Sequence, residues 1–200
     1  HLEKKIKSEL LSMLRNDREK YEEFWKQFGM QIKFGIYSGF GMNTELLKDL
    51  VIFYSSYEKK YTTLEEYISR MPEKQKYIYY ACGDSADKIE RLPQAELVMD
   101  KGYEILFLTD DGDEFTVKAM HMIEGKEFRS ISDDDLGLET EEEKSEQQQK
   151  DEENKELFDF MKEALSGKVQ TVKASRRLKS HPVCLSTEGG ISLEMEKVFA

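Results

Sequence analysis

Apolar side chains near the start of the chain recur with a helical period. Leu2, Ile6, Leu10, Met13 and Leu14 fall on one face, which predicts a helix with one buried side. Asn16 and Glu19 have capping-box spacing and predict a second helix, with Tyr21, Phe24, Trp25 and Phe28 turned to the core. Gly29 is expected to end that helix, as a glycine just past a helix terminus does. Residues 30–42, which contain Gly35, Gly39 and Gly41, then read as a loop. A third helix is expected after Asn43, with Leu46, Leu47, Leu50, Val51 and Tyr54 facing inward.

From Tyr61 the period shortens. Thr63 and Glu66 form another capping box and open a short helix through Leu64, Tyr67, Ile68 and Met71. Tyr77–Cys82 is a continuous apolar run of strand-favouring residues, ended by Gly83 and Asp84. A helical stretch to Lys101, broken at Pro93 and closed by Gly102, leads to a second such run, Tyr103–Leu108. Strand, helix and strand at this spacing predict a βαβ unit with parallel strands and a right-handed crossover. A helix over 113–120 and a short strand over 128–131 complete it.

Residues 133–156 have too few apolar side chains to offset their ordering entropy and predict a solvated linker, mobile or helical. Leu157, Phe158, Met161 and Leu165 then define an amphipathic helix stopped at Gly167. Val169–Leu178 and Val183–Ser186 read as two strands, and Gly189-Gly190 introduces a last helix bearing Leu193, Met195, Val198 and Phe199. The expected class is α/β: a helical part over 1–57 and a small αβα sandwich over 58–132. An acidic linker over 133–156 and the start of an α+β domain over 157–200 follow. His1 opens directly into a helix and Ala200 falls inside one, which reads as a segment cut from a longer chain.

Charge changes this picture in one place. The net charge is −11, but twelve acids and three bases lie between Asp133 and Glu156, so the remainder is nearly balanced. A nucleic-acid footprint needs clustered Lys and Arg, and no nucleic-acid partner is expected. No apolar run is long enough to span a bilayer, and no membrane partner is expected. Cys82 and Cys184 stand alone, as buried thiols do in a reducing, cytoplasmic setting.

Candidate chemistry is sparse. His181 and Cys184 could supply two metal ligands, but nothing nearby supplies a third. Asp110–Glu114 lacks the alternating spacing of a calcium loop and reads as a strand-to-helix turn with acids at a helix start. Gly39-Phe40-Gly41 has neither the preceding strand nor the following lysine of a phosphate cradle. His1, His121 and His181 lie in unrelated segments, and no nucleophile–base set emerges. The reading is therefore no catalytic, cofactor or metal residue. The carboxylates after Leu108 sit where open α/β sheets take ligands, which keeps a small α/β enzyme as an alternative. What remains is apolar surface on the 113–120 helix and on the last helix.

Longer strings carry a resemblance. Glu19–Gly29 (EKYEEFWKQFG), Ser69–Tyr80 (SRMPEKQKYIYY), Tyr103–Asp110 (YEILFLTD) with Asp113-Glu114, and Glu124-Gly125-Lys126 occur in family order and spacing. On these the chain is identified as a member of the heat shock protein 90 family of molecular chaperones, bacterial type, from the middle domain into the C-terminal domain. The resemblance implies an ATP-driven, dimeric clamp around unfolded or partly folded client proteins, active in protein folding and the stress response. ATP and magnesium would bind, and hydrolysis would occur, in a domain of the parent absent here. No catalytic residue of the family maps onto this chain, and the fragment is expected to be monomeric. Client contacts would fall on Phe115, Lys118 and Met120, then on Met195, Val198 and Phe199. Phe115 stands where bacterial relatives carry Trp, which keeps an aromatic anchor without the indole donor. A passive spacer between the ends of the clamp is the competing reading.

Overall fold

The computed structural model describes residues 2–187 together with Ser192 and Met195. Helix α1 (Leu2–Asn16) is followed by α2 (Arg18–Tyr37). The cap between them is Asp17 rather than Asn16: its carboxylate accepts the Lys20 N–H at 3.3 Å. Nor does α2 end at Gly29. That glycine is buried inside the helix against Trp25, whose ring would lie 2.8 Å from any added Cβ. Packing, not termination, selects it.

The third helix is also shorter than its pattern suggests. One turn, α3 (Thr44–Leu47), and a 3-10 turn (Lys48–Leu50) give way to strand β1 (Ile52–Ser55). Val51, Ile52, Phe53 and Tyr54 are β-branched or aromatic, and a waiting sheet edge decides for strand. Strand β2 (Tyr61–Thr63) pairs back on β1, and the expected Thr63–Glu66 capping box opens α4 (Leu64–Arg70). Then come β3 (Tyr77–Cys82), α5 (Ala86–Glu90), α6 (Ala95–Asp100), β4 (Ile105–Leu108) and α7 (Asp113–Met120). The short strands β5 (Met122–Ile123) and β6 (Lys126–Ser130) complete a mixed sheet in the order β2-β1-β4-β3-β6-β5. Strand β3 is parallel to both β4 and β6, as a βαβ unit requires, while the outer strands join as antiparallel hairpins.

Alternation along the two central strands builds two cores. Ile78, Tyr80, Leu106 and Leu108 face one cluster with α1, α2, α4 and α7, through Leu14, Tyr21, Trp25, Tyr67 and Val117. Tyr79, Ala81, Ile105 and Phe107 face the other with α5 and α6, through Ile89, Ala95 and Val98. The result is an αβα sandwich, and residues on both sides of position 57 share its first core. Buried tyrosines are satisfied at their hydroxyls: Tyr67 accepts from Tyr79 N and Gln75 Nε2 at 3.0 Å each and donates to the Glu104 carbonyl at 2.7 Å.

One buried cation crosses the first core. Lys33, 2% exposed, pairs with Asp113 at 2.5 Å and Asp110 at 2.7 Å, and lies 5.2 Å from the Trp25 ring centre. Burial pulls its pKa down, but Asp113 and Asp110 lift it above the usual lysine value, so the ammonium stays charged. Replacing Lys33 by Met would leave the buried Asp113 carboxylate without its cation. The expected loss is about 3–5 kcal/mol in denaturant unfolding, largely recovered when Asp113 is also made apolar.

Beyond the sandwich, the acidic strip contains α8 (Glu141–Glu153), which buries no residue and is capped by a Thr140–Glu143 box. The amphipathic helix α9 (Lys155–Ala164) follows, and the chain turns at Gly167 with φ 78°. The strands expected over 169–178 and 183–186 do not form. Instead, residues 173–187 run as a polar strap along the sandwich. Arg177 donates to the Asp133 and Asp134 carbonyls, Lys173 pairs with Asp134, Arg176 with Glu146 and Lys179 with Asp100. Lys173, Arg176 and Lys179 meet acids, Arg177 takes backbone carbonyls, and only a single bridge, Asp133 to Thr187, joins the strap to the sandwich in β fashion among the described residues.

Glu96 fixes the middle of the strap. It accepts from the Lys179 and Ser180 amides at 2.8 and 3.4 Å, from the Ser180 hydroxyl, and contacts His181 Nδ1 at 2.9 Å. The Lys179 N–H leads these contacts in holding the carboxyl near a pKa of about 2, against an ordinary 4.5. A depressed carboxylate pKa stabilises docking above the unfolded value and loses it on acidification. Protection of the Lys179 and Ser180 amides, corrected for intrinsic exchange, should fall between pH about 4.5 and about 2. Glu96→Ala should lack that protection at every pH.

Candidate functional site

Helix α7 is the element from which the site is built. Gly112 and the acids Asp113 and Glu114 start it, and Lys33 holds its first turn through Asp113. Thr116 donates to the Gly112 carbonyl at 2.8 Å, so even its interior hydroxyl is used locally. The helix is thereby presented in one fixed orientation, with Val117 and Met120 inward.

The sequence-predicted residues separate along this helix. Phe115 is half-buried with its ring 6.0 Å from that of Tyr37, and Lys118 is exposed. Met120 is 5% exposed and packs in the first core, so it offers no surface in this arrangement. Helical spacing alone could not tell which side of α7 the sheet would take.

Beside α7 lies a cleft of about 200 Å³ lined by Tyr80, Glu114, Lys118, His121, Asp133 and Ser192, among others. Its centre is the Glu114 carboxylate, 4% exposed. Tyr80 donates to it at 3.3 Å, the Ser192 hydroxyl donates to it, and Lys118 Nζ stands 3.7 Å away. Burial, and then the Glu114 charge, push the Tyr80 phenol well above its usual range, so it remains a donor. Burial likewise raises the Asp133 carboxyl, against Arg129 and Lys118. These contacts satisfy a buried charge. Ser192 also accepts the Met195 N–H at 3.1 Å in the geometry of a helix cap.

Met195, 9% exposed, is brought next to Glu114 through Ser192, 78 positions away in sequence. Of the second group of candidate residues, Met195 is thus placed beside the first turn of α7. Val198 and Phe199, and the apolar Leu193, lie outside the described residues.

The amides of the 39–41 turn are engaged internally: Phe40 N donates to Tyr37 O, Gly41 N to Ile36 O and Met42 N to Gly39 O. Asp110 and Asp113 are engaged by Lys33. Among the described residues, no group of three or more His, Cys, Asp or Glu could hold a metal ion, and no helix is long and apolar enough to cross a membrane.

Apolar surface missed by sequence reasoning lies on α2. Met30 and Phe34 are 42% and 56% exposed, and their helical spacing with Tyr37 was the available signal. Ending α2 at Gly29 conceals it. On α9, by contrast, the amphipathic face was legible, and its Leu157, Met161 and Leu165 are 54%, 38% and 42% exposed.

The described residues form a mixed α/β scaffold with an internally hydrogen-bonded polar cleft and apolar surface beside it. Comparison with known proteins gives the lineage. Residues 1–200 match the profile of the family described as Hsp90 protein, and the chain belongs to that family. It is 61% identical over 198 residues to the chaperone protein HtpG of Clostridium acetobutylicum, covering 99% of this chain and 31% of that protein. Against the HtpG proteins of Oceanobacillus iheyensis and Bacillus subtilis the identities are 61% and 56%, each over all of this chain and 32% of the relative. The chain thus spans about a third of the length of the curated relatives it matches.

The differing placements of the candidate residues have a measurable outcome. Met120→Ser should cost about 2–4 kcal/mol in unfolding, because it empties and polarises a core position. Phe115→Ser should cost less than half as much in the same titration.

Proposed function

We propose that this chain is the client-handling part of an ATP-driven chaperone clamp, holding unfolded or partly folded proteins against α7 and the segment around Met195. The observation that carries this reading is the meeting of those two segments at Glu114. Family membership supports the chaperone role. A client would bury apolar side chains weakly against Phe115 and its surroundings, with the stem of Lys118 covering apolar surface and its ammonium staying beside Glu114. ATP, magnesium and the contacts of a homodimer would come from the rest of the full-length protein, which would work in the cytoplasm; this chain alone would be monomeric. Nucleotide state would reach the client as rigid-body motion between units.

The burial of Met120 favours a second reading, a spacer that separates the two ends of the clamp without touching clients. Fluorescence anisotropy of a labelled, permanently unfolded client distinguishes the two. With folding confirmed by circular dichroism, Phe115→Ser is expected to weaken binding about tenfold. Equal binding by variant and wild type, or none by either, would support the spacer.

A further inference from the structure

Between Lys168 and Thr187 the sequence has five Lys or Arg and no Asp or Glu. The acids that face this run come from three other places in the fold. Lys173 pairs with Asp134 beyond β6, Arg176 with Glu146 of α8 at 2.6 Å, and Lys179 with Asp100 at the end of α6. These six side chains are between 32% and 63% exposed, so dissolved ions reach every pair. Among the described residues, neither core takes a side chain from the run, and Val183 and Leu185 are 68% and 55% exposed. Arg177 is buried, but it spends its donors on the Asp133 and Asp134 carbonyls. The strap is therefore docked by charge and hydrogen bonds, without the apolar burial that holds the sandwich. The reach of exposed charges shrinks from about 10 Å at 0.1 M salt to about 3 Å at 1 M, which leaves apolar burial in place. At the end of the strap, the Thr187 N–H donates to the Ser132 carbonyl at 2.8 Å. Ser192 follows shortly in sequence, donates to Glu114 and caps the turn that holds Met195 at 9% exposure.

We propose that the 173–187 strap is an ionic latch: docked, it keeps Met195 covered beside Glu114, and screening of its ion pairs releases it and uncovers Met195. Asp134 makes the release cooperative. One of its carboxylate oxygens takes Lys173 and the other accepts the Ser186 hydroxyl at 3.1 Å, so a single side chain closes both ends of the strap. Freeing either end loosens the other. Release stands on the strap's own contacts; its consequence, a stronger hold on clients through Met195, rests on the client-handling reading.

Hydrogen exchange of the 200-residue chain at about 0.1 M and about 1 M sodium chloride tests the latch. Protection of the Ala174, Lys179, Ser180 and Thr187 amides, which the docked strap engages, should fall about tenfold at the higher salt. Protection of the β3 and β4 amides should not change. Hydrogen peroxide oxidises a methionine thioether to the sulfoxide and leaves as water. Its reaction with Met195 should speed up about threefold over the same range, with the exposed Met42 as reference. Arg176→Glu sets a like charge against Glu146 and should undock the strap already at the lower salt. Adding Glu146→Arg should restore both the protection and its salt dependence. Protection that is unchanged or rises at the higher salt would overturn the latch. So would a loss of protection that leaves Met195 as slowly oxidised as before. If the latch opens as described but Arg176→Glu binds the unfolded client no more tightly than wild type, the latch stands and the client-handling reading fails.

Discussion

A lysine whose side chain is 3% exposed is tolerable only because two carboxylates and two aromatic rings surround it. Removing an ammonium from water costs several kcal/mol, and Asp113 and Asp110 return that cost only while they are held within ion-pair distance. Lys33 lies on α2 beyond Gly29, whereas its partners lie on the turn from β4 into α7. The pair therefore fixes three things together: that α2 continues, which face of it is inward, and where α7 begins. Trp25 over Gly29 sets the depth at which the helix sits, since any side chain there would meet the indole.

The rest of the molecule follows from that registration. With α2 and α7 clamped across one face of the sheet, Val117 and Met120 fill the core and Phe115 is left at its margin beside Tyr37. The other face is closed independently by α5 and α6 over Tyr79, Ala81, Ile105 and Phe107. Strands buried on both sides carry continuous apolar runs, which is why β3 and β4 show no polar alternation. The sandwich is held by burial, whereas the strap from 173 to 187 is held by ion pairs and hydrogen bonds at its surface. Exposed pairs contribute little individually and weaken with salt, so the two parts differ in kind as well as in position.

This contrast bears on the surface beside α7. A surface on α7 and α2 has a rigid backing and can present aromatic rings without ordering them at each encounter. Glu114 links that backing to Ser192 and Met195, so a displacement of the later segment alters the surroundings of the same carboxylate. Family membership, the fixed helix and the apolar margin agree with one another.

Local chemistry made much of this legible in the sequence alone. The Thr63–Glu66 box, the β3 and β4 runs, the 113–120 helix and the amphipathic α9 face are written in short-range pattern, because capping, period and β propensity act within a few residues. Long strings in register identified the family for the same reason: they require no knowledge of contacts. What only the tertiary structure decided depends on partners distant in sequence. Gly29 is a packing site because Trp25 covers it, and residues 52–55 are a strand because β4 supplies an edge. Met120 is core and Phe40 is exposed because of where the sheet and Ala119 lie, and 173–187 is a strap because acids before it take its bases. Each is a choice between conformations that local propensity leaves nearly equal, settled by a contact that a linear pattern does not contain.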